Sequence, residues 1–248
     1  MIRSIKAITI TLEREVYDFY RNFVHYALRS LLIPTLYIIV IGLGVGSMIY
    51  IEGIRYLEFL IPGVLMMTVV QVTHFHLSFE VLAAKTYEKY LELLTMVAPI
   101  HPHEAILGYI LSGVLISVFT VLIFLIPLYF FFQTTFAPLH IILLFTAGLG
   151  AFFSATGFIA GIYFEDPHRL NIVNSLIITP LSFLCGVFFP LDLYPEQIRI
   201  LIEFVPLTQA IEALRGNGSL LFQILYIWLS AIAAFAISIA IFKKKMIL

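Results

Sequence analysis

Five long stretches of this chain contain no aspartate, glutamate, lysine or arginine, and they constrain the fold more than any other feature. They are Ser30–Ile51, Phe59–Phe79, Ala105–Phe164, Leu170–Leu191 and Gly216–Phe242. An α-helix needs about 20 apolar residues to cross the roughly 30 Å hydrocarbon core of a bilayer. Four of the stretches have the length of one crossing, and the third is long enough for two.

The composition indicates the same class of protein. Hydrophobic residues make up 61% of the 248 residues and charged residues 12%, against roughly 45–50% and about 25% in soluble domains. A chain of this size cannot hide so much apolar surface from water, which excludes a soluble globular protein, a disordered chain and a nucleic-acid binder. The net charge of −1 indicates no strongly charged partner. The single cysteine, Cys185, excludes an internal disulfide and a multi-thiolate metal site.

The longest stretch divides at a polar break, Gln133–Pro138, where Pro138 suits the first turn of a new helix. Division there gives six helices, each of which satisfies its own backbone groups as lipid requires. We therefore predict an all-α membrane protein with a single transmembrane domain over residues 1–248. Its six transmembrane helices are expected at about residues 30–51, 59–83, 105–132, 139–164, 170–191 and 219–242.

The lysines and arginines indicate the orientation. With six spans both termini lie on one side, and only Arg55, Arg199 and Arg215 lie on the other. Basic residues favour the cytoplasmic side of membrane proteins, so we expect both termini in the cytoplasm. The eleven basic residues on the cytoplasmic side are Arg3, Lys6, Arg14, Arg21, Arg29, Lys85, Lys89, Arg169, Lys243, Lys244 and Lys245.

Residues 1–29 precede the first span and have helical periodicity from Glu13 onwards. Thr11 suits the cap of this helix, with Glu13 and Glu15 in its first turn. An amphipathic helix directly before a span is typical of an interfacial helix that lies along the membrane. Its predicted apolar face carries Val16, Phe19, Tyr20, Phe23 and Ala27, and its polar face carries Arg14, Asp18, Arg21, Asn22, His25 and Arg29.

The predicted cytoplasmic loop at residues 85–104 contains a second amphipathic segment, which Pro99 would end. A short amphipathic helix of this kind packs either on the bilayer or on a soluble partner, and the spacing leaves both open. Its apolar positions are Tyr87, Tyr90, Leu91 and Leu94, while Glu88, Lys89 and Glu92 face elsewhere.

The predicted external segment at residues 190–218 contains two short helices, at about 195–204 and 207–215, separated by Pro206. Both are too short to cross a bilayer but are apolar. We expect them to dip into the outer half of the membrane as a re-entrant hairpin, which requires cover by other protein segments.

Small residues at helical spacing predict close packing of the fourth span. Gly150, Ser154, Gly157 and Gly161 form one continuous stripe. Such a stripe lets helix backbones approach closely, either within one subunit or between subunits.

Few residues are candidates for catalysis, metal binding or nucleotide binding. His76 and Glu80 are four residues apart within the second span and share a helix face, whereas His74 does not share it. Ionisable groups within a span are functional candidates, but the chain has no further metal ligands at suitable spacing and no hydrolase motif, so we predict no metal site. It also lacks the Gly-x-x-x-x-Gly-Lys phosphate-binding loop, so any ATP must be bound by another chain.

Three motifs resemble the permease subunits of ABC exporters of the type-2 transmembrane family. The first is Phe59-Leu-Ile-Pro-Gly-Val-Leu-Met-Met67, which resembles the family's Pro-Gly segment. The second is the loop from Glu92-Leu-Leu through Ala98-Pro99 to Leu107-Gly108. The third runs from Cys185-Gly-Val-Phe-Phe-Pro190 through Pro206-Leu-Thr208 to Arg215, with Tyr194-Pro195 where the family has Leu-Pro.

The resemblance implies a machine of several chains. Such permeases pair as two six-helix subunits, and we expect the second copy here to be identical. They bind two cytoplasmic ATPase subunits that hold ATP and Mg²⁺, so this chain would bind no cofactor itself. It would lie in the plasma (inner) membrane. The resemblance implies an ATPase-coupling set of Tyr87, Glu88, Tyr90, Leu91, Glu92 and Leu94, with Arg14, Asp18 and Arg21 beside it. It implies an external re-entrant set of Gly186, Phe188, Phe189, Pro190, Pro195, Pro206 and Arg215.

Two other classes of function stay open on the residues alone. A secondary transporter or channel would need ionisable groups or broken helices at the bilayer midplane, and an intramembrane enzyme would have to use His76 and Glu80. The cargo of an exporter is equally open. We expect an amphipathic, lipid-linked or drug-like molecule, or a polysaccharide.

Overall fold

A computed structural model describes residues 2–22, 32–44, 46, 49–51, 53–89, 91, 101–132 and 137–246. These residues form helices and one short β-hairpin. The helices are α1 (Ile2–Arg21), α2 (Leu32–Gly44), α3 (Tyr56–Thr86), α4 (Pro102–Phe132), α5 (Leu139–Tyr163), α6 (Pro167–Leu184), α7 (Glu196–Glu203), α8 (Pro206–Arg215) and α9 (Leu220–Met246).

Four of these helices, α3, α4, α5 and α9, are long and apolar enough to cross a membrane. The predicted class, an all-α membrane protein, is therefore confirmed, while the count of six spans stays a prediction. Helix α2 is shorter than a full crossing within the described residues. Helix α6 carries His168, Arg169, Asn171 and Asn174, and it ends at Leu184, before the predicted boundary at residue 191.

The chain is extended at Tyr50–Ile51, where the first span was expected to end. Strand β1 (Tyr50–Ile51) pairs antiparallel with β2 (Ile54–Arg55), so that Tyr50 lies opposite Arg55. Gly53 in the connecting turn has a φ of 84°, a conformation that glycine adopts without steric cost. The hairpin leads directly into α3.

Helix α3 is one of the two longest helices, and its start and end define two ends of the molecule. Its 31 residues span about 46 Å at 1.5 Å per residue, and π-helical turns interrupt it at Gln71–Phe75. Helix α8 packs near its start and α7 packs on α8, at what we call the α7–α8 end. Helix α1 lies near its last turns, at what we call the α1 end. Lys245, close to the end of α9, also lies at the α1 end, beside Tyr163.

Helix α5 lies at the centre of the fold and packs against α3, α4 and α9. The small residues predicted to allow close approach face α3 and α4 of the same chain. A methyl group on Gly157 would lie 2.6 Å from the carbonyl oxygen of His74, and one on Gly161 would lie 2.7 Å from that of Ser78. Helices this close exclude larger side chains at the contact, so the stripe serves packing within one subunit.

Helix α1 differs from the predicted amphipathic helix in its start and in the side it presents to the protein. It begins at Ile2, so the prediction that Thr11 caps the helix is wrong. Thr11 is instead buried against α4, where a methyl group on Gly108 would lie 2.7 Å from its Cβ atom. Of the predicted apolar face, Val16 and Tyr20 are exposed. An outward apolar side is the arrangement expected of a helix that lies in a membrane interface.

Candidate functional site

A polar junction at the α1 end joins α1 to α3 and α4. The Arg14 guanidinium donates a hydrogen bond of 3.2 Å to the Tyr109 hydroxyl on α4. It also forms a hydrogen-bonded ion pair with Glu88, which follows the last turn of α3. The structure thus brings together Arg14 and Glu88, two members of the predicted ATPase-coupling set, and adds Tyr109, which no sequence pattern singled out.

Glu15 is a buried carboxyl group at the same junction. Its side chain is 1% exposed, and neither carboxylate oxygen makes a hydrogen bond within the described residues. The Arg14 guanidinium lies 3.8 Å away. Burial, and after it the nearby charge of Glu80, raises the pKa of Glu15 from its ordinary 4.5 to about 8. Sequence reasoning placed Glu15 in the first turn of a helix and missed this site.

The other predicted coupling residues have different surroundings. Tyr87 is 68% exposed, whereas Leu91 is fully buried within a core cluster of this chain. Asp18 is half-buried and Arg21 is exposed. Tyr90, Glu92 and Leu94 lie outside the described residues.

A cleft of about 440 Å³ opens beside this junction. His76 and Glu80 both line it, so the prediction that they share a helix face is confirmed. Sequence periodicity could not show that α1, α2, α4 and α6 would form the other walls, because their approach depends on tertiary packing. The remaining lining residues are Phe19, Ile33, Tyr37, Thr68, Gln71, Val72, Phe75, Phe79, Thr120, Ser175, Thr179 and Phe183.

His74 faces away from this cleft and joins α3 to α5 and α6. Its Nδ1 atom lies 3.0 Å from the Thr156 hydroxyl, and its Nε2 atom lies 3.2 Å from the amide oxygen of Asn174. The Asn174 amide in turn donates to the Ser78 hydroxyl at 2.9 Å. These contacts satisfy polar groups that would otherwise be costly within a membrane. His74 therefore fixes the helix whose other face lines the cleft.

A second polar cluster, centred on Arg215, lies at the α7–α8 end. Its guanidinium donates to the carbonyl oxygens of Phe59 at 3.0 Å and Val187 at 3.4 Å, and it pairs with Glu212 at 3.1 Å. It also stacks on the Phe59 ring, 3.6 Å from the ring centroid. The side chain is 5% exposed. Arg215 thus connects the last turn of α8 to the start of α3 and to the turn after α6.

The Pro-Gly motif and the Gly-x-Phe-Phe-Pro motif meet beside this arginine. A methyl group on Gly63 would lie 2.8 Å from the Cα atom of Val187, so only glycine fits. The Tyr56 hydroxyl donates to the carbonyl oxygen of Phe188 at 3.0 Å. Gly186 has a φ of 80°, which lets the chain turn sharply after α6. Two motifs far apart in sequence therefore form one packed unit.

The remaining residues of the predicted external set lie at helix starts, on the surface or, in the case of Phe188, in the core. Pro195 directly precedes α7, and Pro206 is the first residue of α8. Both positions suit proline because the first turn of a helix needs no amide donor. Phe188 is buried, whereas Phe189 is 56% exposed and Pro190 is partly exposed.

The chain matches the model of the ABC-2 type transporter family over residues 6–218. This range contains the Arg14 junction, the cleft and the Arg215 cluster. The chain belongs to the ABC-2 type transporter family.

Similarity to individual members agrees with this assignment. The chain is 32% identical, over 208 residues, to the inner membrane transport permease YadH of Escherichia coli strain K12. The match covers 82% of this chain and 78% of that protein. The permeases of the same name from Escherichia coli O157:H7 and Shigella flexneri match equally. This chain is therefore an integral membrane protein and a transport permease subunit rather than an enzyme.

Proposed function

We propose that this permease forms the membrane path of an ATP-driven exporter, as two six-helix copies bound to two cytoplasmic ATPase subunits. The ATPase subunits would hold ATP and Mg²⁺, because the chain has no phosphate-binding loop. ATP binding would stabilise one arrangement of the two permeases over another. The cargo would cross between the copies.

The observation that carries this proposal is the Arg14–Glu88–Tyr109 junction. It links α1, the segment after α3, and α4 at one end of the molecule. Tyr87 and Glu88 remain exposed at this junction, where a soluble protein could dock. Movement of the segment after α3 would therefore be transmitted to α1 and α4 through hydrogen bonds and an ion pair.

The positions of the charged residues support a cytoplasmic α1 end. The Arg14 junction, Lys85 and the Lys243–Lys245 run all lie there, as the positive-inside rule requires. Helices α2 and α6 would complete the six spans, and both termini would be cytoplasmic. The names of the curated relatives favour an inner membrane.

Helices α7 and α8 would then form the external re-entrant segment. Both are amphipathic, and α8 buries Leu207, Ala210 and Ile211 against the rest of the chain. Its contacts with α3 and α9 supply the protein cover that backbone at membrane depth needs. This segment would close the path on the external side.

A reconstituted complex of the permease with its partner ATPase tests the proposal. Arg14→Ala and Glu88→Ala are each expected to lower ATP-driven transport into proteoliposomes by about 3- to 10-fold, which is within the 0.5–2 kcal/mol typical of residues that couple sites. The double variant should lose little more than either single one, because both break the same ion pair. Binding of the ATPase, measured by co-purification, should persist.

Glu13→Ala provides the control, because Glu13 is an exposed acidic residue of the same helix. Its transport rate should match that of the unmodified permease. Robust ATP hydrolysis by the purified permease alone would contradict the proposal. So would transport that continues without any ATPase partner, which would favour a secondary transporter.

A further inference from the structure

We propose that Lys243 and Lys244, in the last turn of α9, bind the phosphate of an anionic phospholipid. The partner is then a lipid of the leaflet at the α1 end, and the two lysines are its head-group site. Such binding requires that α9 crosses the membrane, for which it is long and apolar enough. It does not depend on ATP or on the cargo.

The depth of these lysines in the membrane is the first argument. Helix α9 carries no charged residue from Leu220 to Phe242, and three consecutive lysines follow. At 1.5 Å per residue the uncharged segment spans about 34 Å, slightly more than the roughly 30 Å hydrocarbon core of a bilayer. The lysines therefore lie directly beyond the core, at the level of the lipid phosphates.

Lys244 also continues the side of α9 that faces away from the protein. Ile237 and Ala240 precede it by seven and four residues, so the three side chains share one helix face. Both residues are exposed, and α9 is the least buried of the four candidate spans. On a membrane-crossing helix this face contacts acyl chains. The head group of the same lipid would then lie beside Lys244 and its neighbour Lys243.

The charges of these two lysines are not neutralised by any contact within the described residues. Lys243 and Lys244 are exposed there and form neither a hydrogen bond nor an ion pair. Lys245 differs, because its ammonium group lies 4.7 Å from the centroid of the Tyr163 ring and 3.5 Å from the carbonyl oxygen of the same residue. Lys245 therefore joins α9 to the end of α5, and its two neighbours present their charge to the surface.

The acidic residues of the turn between α5 and α6 have other partners. Asp166 lies 3.8 Å from Arg169 and accepts a hydrogen bond from the amide of His168. The charge of Glu165 acts on Lys85. In the part of the chain that the structure describes, neither carboxylate forms an ion pair with the two lysines of the proposed site. The excess charge at the end of α9 is therefore positive.

An anionic lipid matches this arrangement better than an acidic soluble protein does. The two lysines end a helix face that already contacts lipid, so a head group reaches them without any change in the protein. Each basic residue at a membrane surface raises the affinity for anionic lipid by about fivefold. Phosphatidylglycerol, with one phosphate charge, is a suitable probe.

The test measures which lipid lies beside the end of α9. Trp228 is the single tryptophan of the chain, and Trp228→Phe combined with Ile237→Trp moves the tryptophan to about 10 Å from Lys244 along the helix. Brominated acyl chains quench tryptophan fluorescence on contact, so quenching in mixed bilayers compares brominated phosphatidylglycerol with brominated phosphatidylcholine. We expect phosphatidylglycerol to bind about tenfold or more tightly. Equal affinity would overturn the proposal.

Variants of this reporter protein assign the preference to the two lysines. Lys243→Gln with Lys244→Gln should bring the two affinities to within about twofold of each other. Lys243→Arg with Lys244→Arg should retain the preference, because it retains both charges. Lys245→Gln is the matched control in the same run, and it should lower the preference by about threefold or less. A full preference in the double glutamine variant, or an equal loss in Lys245→Gln, would overturn the proposal.

Soluble glycerol phosphate distinguishes a lipid from a free phosphate as the ligand. It carries the same charged group without acyl chains, so at constant ionic strength it should not displace brominated phosphatidylglycerol. Displacement would show that the site binds soluble phosphate and would overturn the assignment to lipid. None of these measurements uses ATP or a partner subunit. Failure of the exporter proposal would therefore show in the transport assay and leave the lipid result independent.

Discussion

Each end of this permease has an arginine at the junction of several helices, but the two junctions differ in how completely their polar groups are satisfied. Arg215, at the α7–α8 end, contacts two carbonyl oxygens, one carboxylate and one aromatic ring. Arg14, at the α1 end, is partly exposed, and the neighbouring Glu15 carboxylate has no hydrogen bond within the described residues.

This contrast indicates at which end the helices can rearrange more easily. A fully paired buried charge is costly to separate from its partners, so the Arg215 cluster should hold one arrangement. A buried carboxyl group without hydrogen bonds raises the free energy of the arrangement that contains it. Movement of α1, α3 and α4 relative to one another at the α1 end should therefore cost less free energy than separation of the contacts in the Arg215 cluster.

Arg215→Met should have the largest effect. It keeps an apolar stem but removes every donor, so the carbonyl oxygens of Phe59 and Val187 lose the arginine and the partly buried Glu212 loses its cation. We expect a loss of about 3 kcal/mol or more in the free energy of unfolding. Thermal unfolding in detergent measures it. Arg215→Lys should recover only part of the loss, because an ammonium lacks the planar fork of donors, and an unchanged midpoint in either variant would contradict the role assigned to the cluster.

Glu15→Gln should have an intermediate effect that depends on pH. The folded-state pKa of about 8 lies above the ordinary 4.5, so the neutral carboxyl group contributes fully below about pH 4.5. That contribution falls as the pH rises through about 8, by at most about 1.4 kcal/mol per unit. The unmodified permease should therefore lose stability between pH 5 and pH 8, and Glu15→Gln should lose less.

Thermal unfolding of both proteins at several pH values measures this difference. Among the described residues, the charged groups near Glu15 are Glu80 of α3, Glu88 after α3, and Arg14 and Asp18 of α1. Glu13→Gln is the control, since Glu13 is exposed on the same helix. Parallel curves for the unmodified protein and Glu15→Gln would show that Glu15 does not titrate in this range.

Arg199→Met should have the smallest effect and sharpens the contrast with Arg215. Arg199 lies at the same end and pairs with Asp192 and with Glu203, the latter at 2.8 Å, but its side chain is 43% exposed. Water competes for exposed ion pairs, so they contribute little. Its unfolding midpoint should lie close to that of the unmodified protein. A loss as large as that of Arg215→Met would mean that burial does not explain the difference between the two arginines.

The sequence was most informative where one physical requirement dominates. The apolar length that lipid demands predicted α3, α4, α5 and α9, and the i, i+4 rule placed His76 and Glu80 on one face. Tertiary contacts were harder to predict from the sequence. The burial of Thr11 depends on the missing side chain of Gly108, and the burial of Glu15 depends on the approach of α1 to α4. Neither contact leaves a periodic signal in one chain.

The Pro-Gly motif is an instructive intermediate case. Its residues were recognised as a family feature, but their purpose became clear only from the contact of Gly63 with Val187. The strand at Tyr50–Ile51 was missed for another reason. An apolar, charge-free run predicts burial or lipid contact, and it does not distinguish a helix end from a short hairpin.

The contact of Gly63 with Val187 has a mechanical consequence for transport. Together with Arg215, it joins the start of α3, the turn after α6 and the end of α8 into a single stiff block. A passage that opened through that block within one subunit would break the packing contact of Gly63 with Val187 and the hydrogen bonds of Arg215 in every transport cycle. A passage that opens at the interface between two subunits would leave these contacts intact. The block would then move as one rigid unit on its side of the passage.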